Sequence, residues 1–148
     1  MTIVNSVSRL LETALHVEDL ERSTRFYQEV LGLAPLAGTP SETETWSRVL
    51  RPFHVPGGQV LLLFSKGSTA RGSVLPGGTI PPHDGSGRLH LAFAISSAEV
   101  DGWRERLKAH GVAIEGEMRW PRGGTSLYFR DPDGHLLELA TPGLWSIY

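Results

Sequence analysis

The sequence predicts an α+β fold in which two βαβββ modules form a cupped mixed sheet. Three observations carry the prediction. Leu10 to Val17 mixes apolar and polar residues with a period near two, and a helical pattern follows it. The same strand-then-helix order returns from Arg88. Each half then closes with a Gly-containing turn that opens an apolar strand, Pro56-Gly57-Gly58 in the first and Asp131-Pro132-Asp133-Gly134 in the second.

The elements follow in order. Asp19 suits a helix N-cap, Leu20, Tyr27 and Leu31 with Phe26 and Val30 supply an apolar stripe, and Gly32 stands where a C-cap belongs. Trp46 to Val55 and Gln59 to Phe64 read as strands. In the second cycle Arg88 to Ile95 is a strand, and Ser96 with Glu99 forms a capping box. The helix through Val100, Trp103 and Leu107 ends at Gly111. Val112 to Met118, Thr125 to Arg130 and His135 to Thr141 are the remaining strands. Aligning Gly58 with Gly134 places Leu62 on Glu138. His16 then lies 46 residues before Leu62, and His90 lies 48 before Glu138, which supports a duplication. The modules span about residues 9–65 and 88–141 of one domain. The Gly-, Pro- and Ser-rich stretch 66–87 between them reads as a linker, a lid or an arm toward a partner subunit.

Composition narrows the function. The 148 residues contain 40% hydrophobic and 20% charged residues, the mix of a soluble globular protein. A formal net charge of -2 gives no electrostatic reason to expect nucleic acid or an anionic membrane as partner. Cysteine is absent, so any metal must be held by nitrogen and oxygen donors. Met1 to Ser8 lacks the pattern of a signal peptide, and no apolar run approaches the ~20 residues that span a bilayer. The expected location is the cytoplasm.

Strand parity supplies the site. Leu91, Phe93 and Ile95 share the face that must pack on a helix, which leaves His90, Ala92 and Ala94 opposite. Leu11, Thr13, Leu15 and Val17 oppose Glu12, Ala14 and His16. Leu137 and Leu139 oppose Leu136, Glu138 and Ala140. Two imidazoles and a carboxylate (His16, His90 and Glu138) are thus expected on the open face beside small alanines. Such a set binds one divalent ion (Fe, Mn, Ni, Co or Zn) and leaves coordination positions for substrate oxygens.

Three stretches carry a family resemblance: Leu15-His16-Val17, His90-Leu91-Ala92-Phe93, and Tyr128 through Leu139 with its Asp-Pro-Asp-Gly turn. From about Leu10 to the C-terminus the chain resembles the vicinal oxygen chelate superfamily, which includes glyoxalases, bleomycin-resistance proteins and extradiol dioxygenases. The resemblance implies paired modules, usually in homodimers, and His16, His90 and Glu138 as metal ligands. Glyoxalase I carries a fourth ligand where this chain has Leu62, so the resemblance to that enzyme stops short of its ligand set. Ser126-Leu127-Tyr128-Phe129 is similar to a pattern of fosfomycin-resistance enzymes, although Thr141 to Trp145 lacks their basic phosphonate-binding residues.

Parity and position give roles to other side chains. Tyr128, on the strand face of Ser126 and Arg130 opposite Leu127 and Phe129, is with Glu138 a candidate catalytic residue and a candidate hydrogen-bond donor to substrate, or a partly buried structural tyrosine. Trp46 and Arg48 on one strand face, and Arg88 at the rim, are the other candidate substrate contacts. His83 in the long loop is a candidate acid or base, or simply an exposed histidine. His135 faces away from Glu138. The expected function is metal-dependent lyase, isomerase or extradiol-type dioxygenase chemistry on a small oxygen-chelating substrate. The alternatives are bleomycin-resistance-like binding without turnover and fosfomycin-resistance-like epoxide opening.

Overall fold

In the computed structural model, which describes residues 5–37 and 44–148, the chain separates into two compact units, Met1–Gly85 and Ser86–Tyr148. The N-terminal segment read for targeting signals lies partly outside the described residues.

The first unit begins with β1 (Glu12–Val17) and α1 (Leu20–Arg25), which continues as a π-helical turn over Phe26–Val30. The Asp19 side chain accepts from the Arg22 backbone N–H at 2.9 Å, as an N-cap should, and Gly32 leaves the helix with φ 70°. Next come β2 (Ala34–Pro35), α2 (Glu44–Ser47), β3 (Leu50–Val55) and β4 (Gln59–Ser65), in the sheet order β1-β4-β3-β2. β1 and β4 are parallel, with Glu12 opposite Val60, Ala14 opposite Leu62 and His16 opposite Phe64. Leu15, Val17, Leu61 and Leu63 fill the helix side of this sheet together with Tyr27 and Phe53, all 0–1% exposed.

Two expectations for this unit are corrected. The strand predicted from Trp46 starts only at Leu50. Its ladder partner β4 ends one residue past Phe64, and Trp46 instead belongs to α2, whose turn closes through Val49 N–H to Trp46 C=O. Trp46 and Arg48 therefore do not share a strand face. The stretch 66–87, read as a linker, lid or arm with no strand assigned to it, contains a hairpin of β5 (Ser73–Leu75) and β6 (Gly78–Ile80) around Pro76-Gly77. Gly72 permits it: a Cβ there would lie 2.5 Å from the Ile80 carbonyl oxygen.

The second unit repeats the plan with β7 (His90–Ala94), α3 (Val100–Ala109), β8 (Gly116–Arg119), β9 (Thr125–Arg130) and β10 (Leu136–Ala140). Its sheet order is β7-β10-β9-β8, the same winding as in the first unit, with β7 and β10 parallel. Ser96 and Glu99 form the predicted capping box in the 3₁₀ turn Ser97–Glu99 ahead of α3. The strand expected from Val112 begins at Gly116, because Val112 is used to close the helix: its N–H bonds to Leu107 C=O around Gly111 at φ 67°. In the turn before β10, Asp131 Oδ1 accepts from the backbone N–H groups of Asp133 and His135, both at 2.9 Å.

The C-terminal segment is tied back onto this sheet. Tyr148 Oη donates to the carbonyls of Ile95 and Ala140, and the backbones of Gly124 and Gly143 meet so closely that a Cβ on Gly143 would lie 2.5 Å from Gly124 N. Gly143 also has φ 104°. Gly143→Ala is therefore expected to lower unfolding free energy by about 2 kcal/mol, read as a fall in the urea midpoint. An unchanged midpoint would show that this approach is not maintained in solution.

Candidate metal centre

The second sheet assembles a polar cluster on its open face. Glu138 sits between Tyr128 on β9 and Ala92 on β7. Ala92 leaves room for His90, one parity step along, to reach diagonally to the carboxylate: His90 Nε2 lies 3.1 Å from Glu138 Oε2. The carboxylate is 4% exposed, and its other oxygen accepts from Ser126 Oγ at 2.5 Å and Tyr128 Oη at 3.1 Å. Trp120 Nε1–H in turn donates to Ser126 Oγ at 2.8 Å. Burial, then the hydrogen bond to Glu138, push the Tyr128 phenol above its ordinary value, so it remains an O–H donor through the neutral range.

The tautomer of His90 follows from its other nitrogen. Nδ1 is 2.9 Å from the Leu136 carbonyl oxygen, which only accepts, so Nδ1 carries a proton. In the neutral ring Nε2 is then a bare lone pair aimed at a carboxylate oxygen. Two acceptors hold that distance only with a proton or a cation between them. A divalent ion meets the same donors, and the Nδ1–H to backbone carbonyl bond is the usual orienting contact of a ligating imidazole. The donor pair therefore fits a metal. Among the described residues no group of three His, Asp or Glu side chains able to hold an ion is assembled.

His16 has different surroundings from those expected of a ligand. It is 5% exposed and stacked on Phe64, and His83 lies against its edge. Thr69 Oγ1 donates to the His83 carbonyl at 2.6 Å, so at 2.9 Å it accepts from His16 Nε2–H. Nδ1 packs against Gly85, where a Cβ would lie 2.8 Å away. Neither nitrogen points an unused lone pair into open space. Burial holds the imidazole below its ordinary value of 6.5, opposed by Asp84 and assisted by His83. A base depressed in the folded state is protonated first in the unfolded chain. Its contribution to stability is thus complete above pH 6.5 and is lost as pH falls from there through the folded-state value. Wild type should accordingly lose more thermal stability between pH 7.5 and 5.5 than His16→Gln does. Equal losses would remove His16 as the source.

Strand register identifies a residue that the sequence reading passed over. In the second sheet His90 opposes Leu136 and Ala92 opposes Glu138, whereas in the first Glu12 opposes Val60 and Ala14 opposes Leu62. Since Leu62 is the repeat counterpart of Glu138, the counterpart of His90 is Glu12, and that of His16 is Ala94. Glu12 is exposed and lines a cavity of about 630 Å³ on the first sheet, together with Ala14, Trp46, Leu62, Phe64 and His83.

The remaining candidates fall elsewhere. Arg48 is exposed in the turn after α2. Arg88 is exposed and lies over the turn before β10, its Nε 3.3 Å from where a Cβ on Gly134 would stand. His135 is on the opposite side of β10 from Glu138, 2% exposed, and its Nδ1 accepts from the Leu89 N–H.

Known proteins repeat this architecture. FosX, a fosfomycin resistance protein of Listeria monocytogenes, is 31% identical over 134 residues, which is 90% of this chain and 89% of that protein. The crystal structure of a lactoylglutathione lyase from Agrobacterium tumefaciens superposes with a TM-score of 0.79 at 34% identity, covering 96% of this chain and 99% of that one. A FosX mutant from L. monocytogenes, solved with Mn(II) and dihydroxypropylphosphonic acid, gives a TM-score of 0.62 at 31% identity over 90% of this chain and 92% of its own. No helix among the described residues is long and apolar enough to cross a membrane. The duplicated βαβββ winding has its counterpart in a sequence profile that matches residues 9–139, and the chain belongs to the Glyoxalase/Bleomycin resistance protein/Dioxygenase superfamily.

Proposed function

We propose that this protein is a metal-dependent enzyme acting on a small oxygen-bearing substrate, by lyase, isomerase or extradiol-type dioxygenase chemistry. The observation that carries the reading is the His90–Glu138 pair, in which an imidazole nitrogen, its ring oriented by the Leu136 carbonyl, and a buried carboxylate face each other at 3.1 Å. His90 and Glu138 would hold the ion. Glu12, the repeat counterpart of His90, is our choice of third protein donor over His16. When bound, a divalent ion polarises substrate oxygens and stabilises negative charge that develops on them. Tyr128 keeps its proton and donates it to Glu138 Oε1; turned from that carboxylate it would donate to a substrate oxygen instead, and Trp46 contributes apolar surface. Arg48 and Arg88 receive no role.

Epoxide opening of the fosfomycin-resistance kind is the second reading, favoured by the likeness to FosX and by the Ser126–Phe129 pattern. Drug binding without turnover is the third. Metal analysis of untagged protein separates them. Bound iron with oxygen uptake on catechols supports ring cleavage, and manganese, nickel or zinc without oxygen uptake directs assays to thiol adducts and epoxides. Protein that binds no metal under saturating supply leaves only the binding reading. Assembly as a homodimer, proposed on family resemblance, is checked by sedimentation.

A further inference from the structure

We propose that the cavity of the first unit receives the neutral, apolar body of the substrate, aromatic by preference, and that this substrate is not a phosphonate. The inference rests on the enzymatic reading above and adds a substrate class to it. The two sheets have diverged in chemistry at matched positions. Where the second carries Glu138, Tyr128 and Ser126, the first carries Leu62, Pro52 and Leu50, and it keeps a polar group only at the position of His90, where Glu12 stands. Trp46, displaced from its expected strand by the short helix, forms part of the wall. At about 630 Å³ the space lies within the range of small-molecule pockets, roughly 300–1,000 Å³.

Charge decides against an anion. Among the described residues that line the cavity there is no Lys or Arg, and the one formally charged side chain is the carboxylate of Glu12. A phosphonate moved from water into this lining would lose hydration with no cation to replace it. Besides Glu12, the lining contains His83 as a held polar group for a substrate hydroxyl or carbonyl. His83 has both backbone groups fixed on Thr69, its N–H to the Thr69 carbonyl at 3.1 Å and its own carbonyl to Thr69 Oγ1 at 2.6 Å. Its ring is set edge-on to His16 and Phe64 with centroids 5.4 and 5.3 Å away.

The test uses the full chain, both chelator-treated and Mn(II)-loaded, with 1-naphthol as neutral probe and methylphosphonate as anionic probe, followed by calorimetry and by quenching of tryptophan fluorescence. The chelator-treated protein should bind 1-naphthol and not methylphosphonate. Ala14→Trp, which fills the cavity floor, and Leu62→Glu, which charges it, should each weaken 1-naphthol by ~10-fold or more. Trp46→Phe should remove most of the quenching. Should Ala14→Trp fail to fold, Leu62→Glu alone carries the comparison.

Three outcomes overturn the proposal: 1-naphthol affinity untouched by folded variants, methylphosphonate bound as tightly as 1-naphthol without metal, or probe affinity that falls as the protein self-associates, which would mean that a second copy occupies the cavity. Binding of 1-naphthol by Glu138→Gln separates this inference from the metal reading. Probe binding without metal binding in wild type leaves the pocket standing and removes the metal centre.

Discussion

Glu138→Gln is expected to weaken Mn(II) binding by about 100-fold or more without unfolding the protein. The two halves of that expectation have separate causes. The amide oxygen can keep the bonds from Ser126 and Tyr128, and the amide N–H₂ can donate to Nε2 of a neutral His90 ring, so the contact survives as a hydrogen bond. Stability of the metal-free variant should therefore match or exceed that of metal-free wild type. The anionic donor, however, is gone. At a Mn(II) concentration of about 100 times the wild-type Kd, wild type gains about 2.7 kcal/mol, and a variant bound 100-fold more weakly gains about 0.4 kcal/mol. A thermal scan with and without Mn(II) reads both effects. If the variant kept the full metal-induced shift, Glu138 would not be a ligand. If it lost stability without metal, the carboxylate would be a structural acceptor.

What the sequence could reveal depended on how local the determinant was. Helix starts at Asp19 and Ser96 and the Asp131–Gly134 turn are set within a few residues by backbone hydrogen bonds, and each was legible. Face assignment in β7, β9 and β10 was legible for the same reason, because period-two alternation is a property of the strand alone. Strand ends were not. β3 starts only at Leu50 because Trp46 to Val49 are wound into the turn that closes α2, and β8 waits until Gly116 because Val112 is bonded to the helix end. The hairpin in 66–87 was hidden because its Gly and Pro content describes a turn as well as a linker.

Register was the least legible feature, and it governs the second large prediction. Strand parity puts Glu12, Ala14 and His16 on one face, so alternation cannot choose between Glu12 and His16. Spacing cannot choose either. His16 stands 46 residues before Leu62 and Glu12 stands 50 before it, each two away from the 48 that separate His90 from Glu138. Only the pairing of β1 with β4 distinguishes them, and it matches Glu12 to His90.

Glu12→Gln is accordingly expected to weaken Mn(II) by about 10- to 100-fold while leaving the metal-free melting temperature unchanged, since the side chain is exposed. His16→Ala should do the reverse. It removes a buried ring stacked on Phe64 and the partner of Thr69, costing about 2–3 kcal/mol of stability, while Mn(II) affinity of the folded fraction stays within about 3-fold of wild type. Measuring Mn(II) affinity and urea midpoint on both variants crosses the two readouts. If His16→Ala abolished metal binding and Glu12→Gln left it intact, His16 would return as the ligand. The buried contacts it makes with Thr69 and Gly85 would then have to open when the ion binds, and hydrogen exchange at the β1–β4 pairing would have to change with them.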